Sequence, residues 1–402
     1  MHGAEARAPA SVVWALGLTQ IIGYGTLFYS FAILAPAMAL ELALPESWVF
    51  GALSVALFLG SLLAPTAGRL ADRYGAGRMM SWGSLVAALA LAACALAPER
   101  YSFVAALIAM ELASCFVLYA AAFVAIVQIG PVGAQRSITH LTLIAGFAST
   151  LFWPLTTALH AHFDWREVYL IFAATNLLLC LPIHAWLGWL ATRRARLRSA
   201  SQAVAAEPQD QPTLDPAKIR IVFLAMMAGF ALEGFILSAV LLHMVPLLTA
   251  LGLGTAGVVA STLFGPAQVA SRLINMVFGG RLRQSVLAII AACLIALALI
   301  TMLATTPMIA GIALFVVLFG LGSGLTSIVG GTLPLEVFGR DAYGLNVGWM
   351  SAARQFSSAF APFAFAVMMA SISVPGALTV LAVTAAAGIA TFCVVSLLSK
   401  SR

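Results

Sequence analysis

The sequence predicts an all-α polytopic membrane protein: twelve transmembrane helices in two six-helix, pseudo-symmetric bundles, with both termini cytoplasmic. Four observations carry that expectation. Lys and Arg number 20 and Asp and Glu 14 in 402 residues, so 8% of the chain is charged, against about 25% in a soluble domain. Hydrophobic residues make up 62%, and the mean hydropathy is +1.05. The apolar residues fall in long unbroken runs. A spanning helix needs about 20 of them, whereas a β-barrel would alternate over about ten. Finally, the basic residues crowd onto alternate connections. A chain so poor in charge cannot cover a soluble surface. A soluble enzyme, a disordered chain and a disulfide-stapled secreted domain are excluded.

In chain order, the runs predict spans over 11–40, 46–67, 79–98, 102–129, 138–160, 166–190, 219–249, 255–279, 285–305, 307–332, 344–368 and 374–397. The second, fourth, fifth and tenth are blurred by Gly, Pro or polar residues. With the N-terminus inside, 16 of the 20 basic residues lie on inner segments, only Arg100 and Arg166 lie outside, and Arg272 and Arg354 lie within spans. That bias sets orientation by the positive-inside rule, and it accounts for the net charge of +6. No basic patch is interleaved with stacking aromatics, so no nucleic-acid partner is expected. The first apolar run is too long for a cleavable signal core and is expected to be retained. Cys94, Cys115, Cys180, Cys293 and Cys393 all lie in apolar spans without CxxC spacing and read as small packing residues.

Between the sixth and seventh spans, residues 191–217 open with Arg193, Arg194, Arg196 and Arg198 and then turn to Ala, Gln, Pro and acids. This is the expected cytoplasmic linker. It divides the chain into bundles at 1–190 and 218–402. Six spans on each side point to an internal repeat. Gly68-Arg69-Leu70 recurs as Gly280-Arg281-Leu282 at an offset of 212, and Pro154 matches Pro362 at 208.

The segment after the second span reads Gly68-Arg69-Leu70-Ala71-Asp72-Arg73-Tyr74-Gly75-Ala76-Gly77-Arg78. Gly68 and Gly75 permit a tight turn and close helix approach. Asp72 is suited to pair with arginines or to cap a helix N-terminus. This segment resembles the signature loop of the major facilitator superfamily in Gly68, Leu70, Asp72, Arg73 and Gly75, with one late basic residue, Arg78. The resemblance implies a conformational latch for the outward-open state, formed by Gly68, Asp72, Arg73, Gly75 and Arg78. Phe163-Asp164-Trp165-Arg166 is similar to a Gly-Trp-Arg turn of the same superfamily. The stretches His243–Leu248, Gly265–Arg272 and Glu336–Arg340 resemble its monocarboxylate-porter and oxalate/formate-exchanger branch. The first span departs from the porters' acidic-glycine start with Ile22-Gly23-Tyr24-Gly25, and Gln268 replaces an acid one turn before the span-eight arginine.

Four fully charged residues lie within spans: Glu111, Glu233, Arg272 and Arg354. Each such charge costs about 2.5–3.5 kcal/mol at a helix centre on insertion scales, so each is expected to face a bundle interior or a wet cavity. Gln268, Arg272 and Asn275 recur at i, i+4 and i+7 and share one face. A guanidinium matches a carboxylate in fork geometry, so Arg272 is a candidate anion ligand, the alternative being a permanent pair with Glu233. Arg354, followed by Gln355 and Ser358, is a second candidate. Basic residues in spans eight and eleven resemble the oxalate/formate exchangers, though Arg354 stands where those have Lys. The alternative is a salt bridge to Glu111 or Glu233. Glu233 and Glu111 are candidate proton carriers. Gln20 and Tyr24, with Tyr29 close by, are candidate cavity-lining residues. His243 reads as a gate, a relay or an interfacial residue, and His140 as interfacial. His160, His162 and Asp164 resemble a metal spacing, but an exposed loop yields such spacing easily and no metal or other cofactor is expected.

No nucleotide loop, Ser-His-Asp arrangement or zinc helix motif is present, which argues against a membrane enzyme or sensor. The expected function is a secondary carrier, monomeric in a bacterial-type inner membrane, that moves a small organic anion with coupled protons. The alternative is an efflux carrier of drug-like or metalloid compounds, which the fold alone permits. Two intramembrane arginines oppose a hydrophobic cation as substrate.

Overall fold

The computed structural model describes residues 7–202, 216–244, 247–248 and 251–399. Among these residues, eleven helices are long and apolar enough to cross a membrane. The first runs over Ala10–Glu41 as α1 (Ala10–Tyr24), a π-helical turn (Gly25–Tyr29) and α2 (Ser30–Glu41). Then follow α3 (Glu46–Tyr74), α4 (Ala76–Leu96), α5 (Arg100–Val117), α6 (Tyr119–Ile129), α7 (Ala134–Ala145), α8 (Ala148–His160) and α9 (Trp165–Thr175). A second π-turn (Asn176–Cys180) leads into α10 (Leu181–Gln202). After it come α11 (Pro216–Leu242), α12 (Gly254–Ser261), α13 (Phe264–Phe278), α14 (Gln284–Thr305), α15 (Ile309–Phe338), α16 (Tyr343–Ile372) and α17 (Val374–Ser399).

The structure refines the expected boundaries in four places. Residues 68–74 are helical, so the signature segment is the end of α3 and the turn itself is Gly75. The fourth span is broken at Leu118, whose extended backbone separates α5 from α6. The expected eighth span is two helices, α12 and α13, parted by a turn at Thr262–Leu263. The arginine-rich start of the expected linker belongs to α10. Residues 203–215 of that linker, and residues 245–246 and 249–250, lie outside the described residues, while the linker's last two residues open α11.

The chain forms two compact units, Met1–Gln209 with Phe338–Ala352, and Asp210–Val337 with Ala353–Arg402. Each has its own apolar core. In the first, Phe31, Phe103, Trp165, Tyr169 and Phe172 are buried together. In the second, Phe315, Phe319, Phe365, Leu378 and Leu381 are. Large apolar side chains such as Trp14, Leu40, Trp82, Phe278 and Phe363 point outward, as helices solvated by acyl chains require.

Within the units, polar contacts occur where backbone groups are left over. The last turn of α6 carries Gln128. Its Oε1 accepts from Ala76 N–H, the first residue of α4, at 2.8 Å, and its Nε2 donates to Ala71 O at 2.9 Å. In the second unit, Glu336 Oε2 accepts from Gln284 N–H, the first residue of α14, at 2.7 Å, and its Oε1 from Ser285 N–H at 3.4 Å. Each pair is 52 residues apart, and 76 to 284 and 128 to 336 are the same offset as Pro154 to Pro362. An end-of-helix side chain satisfies orphan N–H groups at the start of an earlier helix at matching points of the two repeats.

In the first unit, Arg166 gathers three elements. Its Nε donates to Glu41 Oε1 at 2.7 Å, and its Nη1 donates to Ala95 O and Ala97 O at 2.6 and 2.8 Å. Trp165 Nε1 also donates to Glu41 Oε2. The Arg166–Glu41 contact is an ion pair. It fastens the end of α2 and the end of α4 to the start of α9. Charge-assisted hydrogen bonds contribute about 1.5–3 kcal/mol each, less where they are exposed. Arg166→Ala is therefore expected to lower the thermal midpoint in detergent by several degrees, and Arg166→Lys, which keeps the charge but not the fork, by less. Equal midpoints for all three proteins would show that the bracket adds nothing to stability.

Candidate functional site

In the second unit, α13 packs closely on α15. Gly320 faces the backbone of Phe264, and Gly324 faces Ser271 Oγ and Gln268 O. Any side chain there would push the helices apart, and the small residues let polar groups cross the gap. Gln268 Nε2 donates to Ser323 Oγ at 3.0 Å. Arg272, only 3% exposed, donates through Nη2 to Ser327 Oγ at 3.1 Å and through Nε to Gly324 O at 3.5 Å. Its Nη1 is buried with no hydrogen-bond partner. Asn275, the third residue of the polar face, lies against Gly279 where α13 ends.

Glu233 lies on α11 and is 2% exposed. Neither carboxylate oxygen completes a hydrogen bond. The Thr326 hydroxyl stands beside it, but its proton is committed to Gly322 O at 3.1 Å. Arg354 is within electrostatic range of the carboxyl. The helices carrying the two are tied together: Ser238 Oγ donates to Ser358 O at 2.8 Å and Ser358 Oγ donates to Gly234 O at 3.0 Å. Gly234 rests on the backbone and stem of Arg354. One stretch of α15, Ser323 to Ser327, thus touches Gln268 and Arg272 and stands beside Glu233. The sequence marks that stretch only by its glycines. Its hydroxyls were the missed signal, in the run Gly322-Ser323-Gly324-Leu325-Thr326-Ser327. Neither Arg272 nor Arg354 forms an ion pair among the described residues, so the alternative reading, a permanent bridge to Glu233, is not formed in this structure.

In the first unit, Glu111 on α5 is 4% exposed. Its Oε1 accepts from Ser114 Oγ at 3.2 Å, and its stem packs on Gly60 of α3. Gln20 on α1 is fully buried. The break at Leu118 leaves the last carbonyls of α5 without intrahelical partners, and Gln20 Nε2 donates to one of them, Val117 O, at 2.7 Å. Tyr24 stacks obliquely on Tyr119 at 4.8 Å, and Tyr29 lies edge-on to Trp153 at 6.1 Å. The two π-turns face each other, and Asn176 Nδ2 donates to Thr26 Oγ1 at 2.9 Å. Such turns mark functional positions more often than ordinary helix does.

The signature residues meet the start of α16. Asp72 Oδ1 accepts from Gly344 N–H at 2.8 Å and Oδ2 from Leu345 N–H at 2.9 Å. The carboxylate therefore caps α16 at the positive end of its dipole. Gly68 lies against the Gly344 carbonyl, and Gly344 against Gly68 O and Asp72. Gly75 turns with φ +90°. Arg73 stacks on Tyr74 at 5.2 Å, and Arg78 is exposed.

The remaining histidines are placed as follows. His243 Nδ1 is 3.0 Å from Ala239 O, and its ring lies edge-on to Phe365 at 5.4 Å. His140 is half-buried on α7. His160 is bonded to Phe163 O, and Asp164 caps α9 by accepting from Glu167 N–H at 2.8 Å. His184, which no motif marks, is buried on α10 with Nδ1 2.7 Å from Ser84 Oγ of α4.

A family model described as Major Facilitator Superfamily matches residues 16–362. No match was found among curated protein sequences. The fold is similar to that of the human organic anion transporter MFSD10 (TETRAN), with a TM-score of 0.73 at 16% identity, covering 96% of this chain and 100% of that one. It is also similar to the proton:xylose symporter XylE bound to 6-bromo-6-deoxy-D-glucose, with a TM-score of 0.68 at 12% identity and 95% coverage of both. This multi-pass integral membrane protein belongs to the Major Facilitator Superfamily.

Proposed function

We propose that the protein is a secondary carrier, not an enzyme, for a small organic anion, a mono- or dicarboxylate, moved by alternating access with coupled protons. The observation that carries the reading is Arg272: a buried guanidinium held on one side by Ser327 and Gly324, with a further N–H donor group unpartnered. A carboxylate would complete the fork. Gln268 and Asn275 extend the polar face, and Arg354 supplies the second cation. Tyr24 and Gln20 belong to the first bundle's contribution. The likeness to an organic anion transporter and to a proton symporter fits this reading. The bundles are taken as 1–190 and 218–402 joined by the linker 191–217, working as a monomer in a bacterial-type inner membrane.

Coupling is assigned to Glu233, with Glu111 as a second proton site. Arg354 competes with a proton for Glu233. An arriving substrate carboxylate draws on the same arginine and leaves Glu233 to take up a proton. Glu233→Gln is expected to keep substrate binding and lose the response of uptake to a pH gradient. If that variant keeps the full response, Glu233 is not the carrier.

The reading is tested with purified protein in liposomes, given a panel of mono- and dicarboxylates with and without a pH gradient. Thermal stabilisation in detergent separates the substrate classes. Stabilisation by carboxylates is expected. Stabilisation by amines or drug-like cations alone would favour an efflux carrier of another class and overturn the anion assignment.

A further inference from the structure

The arginine-rich end of the first unit plays no part in the transport site, yet its side chains are brought together. Arg194 Nη1 donates to Arg7 O at 3.3 Å and to Ile129 O at 3.2 Å, closing the end of α6. Arg7 in turn bridges to Pro131 and Val132, and its Nε lies beside Gly133. Arg136 follows in the first turn of α7. The backbone of Gly188 on α10 rests against Gly77 and Arg78. Arg7, Arg78, Arg136, Arg193 and Arg196 are exposed. The segments 7–10, 76–79, 128–137 and 186–197 that carry them contain no Asp or Glu. The nearby acid Asp72 is occupied by α16.

On α10 the pattern is more specific. Trp186, Trp189, Arg193 and Arg196 recur at intervals of three, four and three, which aligns them along one helix face. The tryptophans are 38% and 56% exposed, and Arg193 lies over the Trp189 ring at 5.3 Å. From Trp189 to Arg196 is about 10 Å along the axis. Indole rings favour the boundary between acyl chains and headgroups, and arginines about one and a half turns further on reach the phosphate level.

We propose that this stripe, with the surrounding arginines, is a docking site for an anionic phospholipid. Its phosphodiester is held by Arg193 and Arg196, and its glycerol and upper acyl chains lie on Trp189 and Trp186. Charge complementarity favours this occupant: a zwitterionic headgroup would bring its own cation to segments that, among the described residues 7–10, 76–79, 128–137 and 186–197, carry arginines and no acid. A lipid here would fasten α10 to the ends of α4 and α6, steadying the first bundle where the linker leaves it.

The test is lipid retention by the purified full-length protein in native mass spectrometry, with phosphatidylglycerol against phosphatidylcholine. Wild type is expected to retain phosphatidylglycerol preferentially. Each basic residue near a membrane surface is worth roughly fivefold in affinity, so R193Q/R196Q is expected to lose about 25-fold for phosphatidylglycerol and nothing for phosphatidylcholine. R193K/R196K is expected to keep most of the preference. Soluble glycerol phosphate is expected not to compete; competition at equal concentration would mark a free-anion site and overturn the lipid assignment. Equal retention of the two lipids by wild type, or unchanged retention in the double glutamine variant, would also overturn it. If that variant does not fold, wild type decides by salt. Phosphatidylglycerol retention must fall as ionic strength rises while phosphatidylcholine retention does not, and a salt-independent preference sinks the proposal.

Discussion

Replacing Arg272 with alanine is expected to lower carboxylate uptake by roughly 30- to 5,000-fold, the range for truncating one partner of a buried charge pair. The residue is buried, its Nε and Nη2 are held by α15, and its Nη1 has no partner. A static tie between α13 and α15 would use the whole fork; here part of it is left over. Arg272→Lys is the informative companion. It restores the charge but not the planar pair of donors, so it is expected to recover part of the rate with a raised KM. Both variants should elute as the parent does in size exclusion, because Gln268 and the glycine contacts of Gly320 and Gly324 still hold the helix pair. If Arg272→Ala transports carboxylates with unchanged KM, Arg272 is a packing residue and the anion site lies elsewhere. Loss in Arg272→Ala with full activity in Arg272→Lys would keep the charge requirement and discard the fork.

How much of this was legible in the sequence depends on what the bilayer enforces. The spans were readable because a membrane demands long apolar runs with internally satisfied backbones, and the few charges within them stood out for the same reason. Asp72 was legible as a cap because its neighbours form a short, specific segment. What the sequence did not disclose is where one span meets another. Helix α15 carries Ser323, Thr326 and Ser327 on one face at i, i+3 and i+4, but nothing in an otherwise apolar helix shows that this face meets α13 and α11. Gln20 looked like a cavity residue. What the sequence did not show is that Gln20 is fully buried and donates to Val117 O at a break that becomes visible only once Leu118 is seen to be extended. The same holds for His184 and Ser84 and for the paired π-turns at Thr26 and Asn176. Each depends on matching depth between helices distant in sequence, and an all-apolar helix gives no register from which to infer depth.

Asp72→Asn is the second large effect expected, and it tests the latch directly. The carboxylate accepts two backbone N–H groups at the start of α16. An asparagine can accept one and turns a donor toward the other. The loss is expected to be about 2–4 kcal/mol of the latched state, for charge-assisted bonds at a helix N-terminus. Hydrogen exchange reads this without reference to transport: the amides of Gly344 and Leu345 should exchange roughly 30- to 1,000-fold faster, since protection scales with the opening free energy. Transport should fall as well, because a state that is no longer held is no longer visited in its turn. Gly68→Ala attacks the same contact by shape. Its methyl group would meet the Gly344 carbonyl, a backbone group that no rotamer change can move, so α3 and α16 must part. The two variants should therefore share one exchange pattern confined to the end of α3 and the start of α16. If Asp72→Asn leaves those amides as protected as in the parent, the capping bond does not hold α16. If exchange rises but transport is unchanged, the bond exists and the latch assignment falls.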